Sequence, residues 1–475
     1  ARARGPRSIE AGPGSRDSLA DCGTMRSVLP LRWLVPALPS ALVASRLAGG
    51  VACAALAACA ASPALHAAND GDYRALRQAL GERQRAGNLP LGEAASIAEA
   101  VASHELRTAP PAEATDRVRD ASPCARELDA ALADRMRIHD AAGAEAALAR
   151  FEGQGLDPAT ARSFAGDVDP AWRAVATRGF VRPEDDPARI RALVDPEPAV
   201  RRAAARASRD AALAQDFAAL AEAARRDPDP LVRTYAVRAI AVLPPLLPSS
   251  DEAANVLRDL WTAGDDGLRE DIAIAWSTPT LWIAGGREAL LDRVASEKGL
   301  GAIEAAGAIL RRHAEDADVA SQARAELARA MMSGSHDTRL AAIAEAPVDR
   351  PELVRALQDA GAEDDARIRV AALARLALTG DAPARGALEG IGAVGASPPR
   401  IASQARFALA VAGDRRVQAW IEQDLGAGSP EDRLGAASAL AALGVASRAA
   451  PLLADADARV RVRAACAILA AAKVR

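Results

Sequence analysis

Between Val232 and Leu243 the apolar residues Val232, Ala236, Ile240 and Leu243 recur at spacings of 4, 4 and 3, with Thr234 and Arg238 turned away from them. That period gives an α-helix one apolar face. The stretch before it, "DPDPLV", supplies a start signal. Pro228 ends the preceding run "AALAEAARR", Asp229 suits an N-cap, and Pro230 suits the first helical position, where a missing N–H costs nothing. The pattern predicts a helix, a tight turn and a second amphipathic helix.

The same pattern returns along the chain. The position of Arg233 recurs at Arg201, Arg269, Glu304, Arg339, Arg369, Ala402, Arg433 and Arg461, in steps of 28 to 36 residues. Three residues after each stands Ala204, Ala236, Ile272, Gly307, Ala342, Ala372, Ala405, Ala436 or Ala464. Turn sequences such as "GDDGLRE", "AEDDARIR" and "ADADARVR" precede most of them, and partner helices such as "PELVRALQDAG" lie between. A period of this length with two helices per unit marks an α-solenoid, and no period-2 strand pattern competes with it. The fold class is therefore all-α, an α-α superhelix.

These residues resemble HEAT repeats of the short bacterial type, with the pattern D-x-x-x-x-V-R-x-x-A-x-x-A-L. The strongest matches are 195–207, 227–240, 364–376 and 455–469, and the resemblance covers roughly 185–475, about nine helix pairs. It implies stacked pairs in a curved superhelix. It also implies a structural ladder in which Arg201, Arg233, Arg269, Arg339, Arg369, Arg433 and Arg461 hydrogen-bond with turn aspartates of adjoining units. Glu304 and Ala402 depart from the arginine. An arginine used once per unit reads as architecture rather than as a ligand contact.

Residues 71–184 show helical periodicity without the repeat, as in "DYRALRQALGERQRAG", and read as an N-terminal helical segment that caps the array and is continuous with it, with a divergent start of the solenoid as the alternative. The far end, "RVRAACAILAAAKVR", is an apolar helix with no successor. Either Lys473 and Arg475 cap it or it docks on something; docking on a second copy would give concentration-dependent dimers.

Upstream, 1–24 is polar and Gly/Pro-rich, and the first methionine is Met25. From there 25–58 has arginines, then the uncharged run Leu47 to Ala58, too short to span a membrane. Leu56-Ala57-Ala58-Cys59 resembles the lipobox of bacterial lipoproteins, which implies a lipidated Cys59, with 59–70 as tether. Ordinary secretion, with cleavage after Ala64, is the alternative. Removing 1–58, with seven arginines and three acids, changes the net charge from −4 to −4 − 4 = −8. An acidic chain argues against nonspecific nucleic-acid binding. Cys124 and Cys466 lie far apart in sequence and are expected as buried free thiols, with a disulfide as the alternative in an oxidising compartment.

Chemistry is sparse. No two of the five histidines are spaced for a helical metal pair, and no G-x-x-x-x-G-K-[ST] loop occurs. No cofactor, metal, small-molecule substrate or catalytic residue is expected. Trp261, Trp276 and Trp282 sit around the least regular join, "WSTPTLWIAGG", as core or site. The expected function is a non-enzymatic scaffold or adaptor of the cell envelope that binds a protein partner on its concave face. Arg202, Arg206, Thr234, Arg238 and Glu270 are the candidate contacts. A bilin-lyase-like maturation factor, or a cytoplasmic adaptor if the signal is not real, is the alternative.

Overall fold

Pro230 opens a helix that runs to Ile240, and the Asp229 carboxylate accepts the N–H groups of Leu231 and Val232. Asp365 caps the helix Ala366–Ala377 in the same way, through Arg367 and Ile368. The local signals read from the sequence are thus the ones that start the helices. The structure is a computed structural model and describes residues 62–473 except 88, 249 and 265. Among them are 26 α-helices and no strand, arranged as a repeating all-α array.

Twelve inner helices can be followed. They are Pro111–Ala121, Ala141–Glu152, Pro170–Arg178, Pro198–Ala211, Pro230–Ile240, Asp266–Trp276, Leu300–Arg312, His336–Glu345, Ala366–Ala377, Pro399–Val411, Pro430–Ala442 and Ala458–Lys473. Each packs on the next, and the last packs back on the first. Outer helices such as Asp186–Ala192 and Phe217–Arg226 do not form an equally continuous row. A row packed on one side and splayed on the other is curved, with the second helix of each pair on the concave side.

The array therefore closes into a ring. Helix 458–473 lies against Leu91–Thr108 and 111–121, while Ala446–Ala454 packs on Tyr73–Arg85 and 91–108. The N-terminal region is thus a set of further helices in the same alternation, a divergent start of the array rather than a cap, and the expected tether is corrected over 63–70: Pro63–Asp70 is a helix that packs on 73–85 and 91–108. The apolar C-terminal helix docks within its own chain, so its burial requires no second copy. If the ring were circular, helices about 9 Å apart would leave an opening on the order of 25 Å.

Small side chains make the inner row possible. Ala204, Ala236, Ala342, Ala372, Ala405 and Ala464 are all fully buried where successive inner helices meet. The separation of packed helices is set by the side chains at the contact, and alanine brings it toward its minimum.

Candidate binding face

The two aspartates of "DPDP" do different work. Asp229 caps its helix; Asp227 braces the turn and receives the preceding unit. The Asp227 carboxylate accepts the N–H of Asp229 at 2.9 Å and the Nε and Nη2 of Arg201 at 2.6 and 2.9 Å. Arg201 also donates to the carbonyls of Asp195 and Pro196 in its own turn. One rigid guanidinium fork thus fixes a turn and the register of the next unit.

The other arginines of that position vary in what they reach. Arg433 donates to Asp455 at 3.0 Å and to the Ala427 carbonyl, and Arg339 donates to Glu363. Arg233 and Arg369 donate to the carbonyls of Asp227 and Glu363 in their own turns. Arg269 lies over the ring of Trp261, 5.8 Å from its centroid. Arg461, in the last unit, reaches Glu105 of the first, Nε to Oε1 at 2.8 Å. Glu105 also accepts the Tyr73 hydroxyl, and burial with this carboxylate alongside pushes that hydroxyl up.

Two further clamps join the ends. Arg459 and Arg463 converge on the buried Asp120 at 2.9 and 3.3 Å, and Lys473 pairs with Glu127 at 3.1 Å. Cys124 and Cys466 form a disulfide with Cα atoms 5.2 Å apart. This corrects the expectation of free thiols. Their sequence separation of 342 hid a proximity that only ring closure creates.

The five candidate contacts all stand on inner helices, but the arginines among them are engaged. Arg202 forks onto Asp229, Nε to Oδ1 at 3.1 Å, and this bond holds the Asp229 carboxyl below its ordinary range. Arg206 pairs with Glu152 at 3.0 Å and Arg238 with Asp271 at 2.8 Å, with Tyr235 under both guanidiniums. Thr234 is half-buried and Glu270 exposed. The three arginines bridge units as well as facing the opening.

Trp261 and Trp276 are buried and stacked, with centroids 5.3 Å apart, and the Trp261 Nε1 donates to Glu297 at 2.6 Å. Trp282 stacks on His313, whose Nε2 lies 2.8 Å from the Ser277 carbonyl. The tryptophans fill the irregular join as packing. Cys59, the expected signal segment 25–58 and Arg475 lie outside the described residues. Among those described, no group of three or more His, Cys, Asp or Glu could hold a metal ion, and no helix is long and apolar enough to cross a membrane.

Sequence reading missed Arg189, which is fully buried and forks onto the equally buried Asp216 at 2.6 and 2.9 Å. It lies on an outer helix, off the repeating arginine position, so periodicity gave no signal.

No protein-family model matches the chain, and no curated protein does. Among solved structures, a crystal structure of an engineered protein is similar at 18% identity, covering 79% of this chain and 98% of that one, with a TM-score of 0.26. At that score the likeness carries no argument, and the architecture rests on the helices themselves.

Proposed function

We propose that this protein is a non-enzymatic scaffold of the bacterial cell envelope. It would be exported, anchored through a lipidated Cys59, and would take a segment of a protein partner against the inner face of a HEAT-type array. The carrying observation is the closed row of inner helices, which directs one continuous surface of exposed and half-buried side chains at the central opening. A ring admits an extended segment or a chain end more readily than a folded domain. The Cys124–Cys466 disulfide supports an oxidising compartment, since such bonds are rare in the cytosol.

Because Arg202, Arg206 and Arg238 hold units together, reversing their charge would confound binding with folding. A photo-crosslinking residue placed at Thr234 or Glu270, inside the ring, is compared with one at Glu222 on the outer surface. Partner adducts from the inner positions alone are expected; equal adducts from Glu222 would remove the reading. The anchor is tested separately, by intact mass and membrane fractionation beside Cys59→Ser, where a soluble chain retaining 25–58 would sink export.

A further inference from the structure

Ten large apolar side chains are exposed among the described residues, and seven of them stand at connections that lead from an outer helix into an inner one. Helices joined by short connections run antiparallel, so all these connections fall on one rim of the array. Four come from successive units: Ile138, Val168, Val194 and Leu231, with Val168 93% and Val194 78% exposed. Leu300, Met332 and Val394 lie farther along the same rim. Single exposed apolar residues are ordinary on a surface, but a run at the same connection of four successive units is a continuous feature.

Polar contacts hold the run together. His139 Nε2 lies 2.8 Å from the Asp167 carboxylate, which ties the first connection to the second. Arg173 donates to the Val168 carbonyl at 2.9 Å and pairs with Asp195 at 3.5 Å, which ties the second to the third. Arg201 donates to the Asp195 carbonyl and to the Asp227 carboxylate, which ties the third to the fourth. Helices packed about 9 Å apart make the row about 30 Å long, and two helix layers make it about 20 Å deep. That footprint is on the order of the 800 Å² that each partner contributes to a standard interface.

Charge decides what covers the row. Four of the carboxylates on these connections are each paired with an arginine. Asp167 accepts the N–H of Asp169, and Asp169 caps the helix 170–178. What remains around the third connection is one charge of each sign, Arg191 and Glu197, both exposed and without an ion-pair partner among the described residues. Arg191 belongs to the outer helix before Val194, and Glu197 directly precedes the inner helix after it. A face with one unpaired cation and one unpaired anion about an apolar centre is complementary to itself, which is the requirement of an isologous contact.

We propose that this row is the interface of a homodimer in which two copies of the chain meet rim to rim about a two-fold axis. Arg191 then pairs with Glu197 of the partner subunit, and the reverse, around the covered valines. The surface is separate from the inner face and from the C-terminal helix, so the dimer does not rest on the scaffold reading.

The test is sedimentation equilibrium of the full chain carrying Cys59→Ser, so that no lipid holds copies together. A dimer that dissociates in the micromolar range is expected. Val168→Ser/Val194→Ser should weaken it about tenfold or more, whereas Val242→Ser/Leu246→Ser, on the opposite rim, should leave it unchanged. Arg191→Glu alone and Glu197→Arg alone should each weaken it several-fold. Mixing these two variants should restore association, because the mixed pair recovers both crossed contacts, a rescue that neither misfolding nor general stickiness would give. A chain monomeric at about 100 µM, a dimer indifferent to the valines, or no rescue in the mixture overturns the interface. A monomer that floats with phosphatidylethanolamine vesicles through the same valines would assign the row to a bilayer and overturn the dimer too. Inner-face crosslinks kept by a monomeric chain would show that the dimer had failed and the scaffold reading had not.

Discussion

At the scale of single residues, buried arginine–carboxylate pairs tie the units of the chain together. Arg189 and Asp216 are both fully buried, so removing one strands the other's charge. Arg189→Ala should lower stability by about 3–5 kcal/mol, read by chemical denaturation with hydrogen exchange on 186–226. Titration separates two kinds of carboxyl. Asp229 is held down, chiefly by its hydrogen bond from Arg202. Its ionised form therefore stabilises the fold above the unfolded carboxylate range, about pH 4, and that contribution is lost as pH falls through the lower folded value. Asp229→Asn should flatten the acid limb of a melting-temperature profile. Glu345 is pushed up by burial, so its contribution has the opposite sign: present below about pH 4 and lost as pH rises through the folded value. Glu345→Gln should remove that second slope.

At the scale of elements, the least regular join of the repeat is carried by glycine. Between Trp282 and the helix Arg287–Ser296, Gly285 sits at φ +100, and a Cβ on Gly286 would lie 2.5 Å from the Trp276 carbonyl oxygen. Only a residue without a side chain lets the backbone pass so close. Gly286→Ala should cost about 1–3 kcal/mol, whereas alanine at Gly386, where a Cβ meets nothing, should be neutral or slightly stabilising. Thermal melts of the two variants side by side check the contrast.

At the scale of the molecule, closure does what capping repeats do in an open array: it removes the ends. The disulfide closes a loop with a sequence separation of 342, and in the chain-entropy account such a link contributes about 5 kcal/mol. Cys124→Ser/Cys466→Ser should lower the melting temperature. Adding Asp120→Ala, which frees Arg459 and Arg463, should open the ring and raise the radius of gyration in solution scattering. An unchanged radius in the triple variant would mean that helix packing alone keeps the seam shut.

The sequence by itself determined the local matters: helices from apolar period, starts from "DPDP"-type turns, and the recurrence of one arginine position per unit. These depend on contacts within a unit or between adjacent units, which a period of 28 to 36 residues exposes. Only the tertiary structure decided what depends on summed curvature. The small rotation between neighbouring pairs accumulates until helix 458–473 meets helix 91–108, and no local residue pattern reports that total. The Cys124–Cys466 bond, the Arg461–Glu105 rung and the Asp120 clamp all follow from that meeting. Glu345, Arg375 and Arg311 likewise meet around one cleft only through the fold.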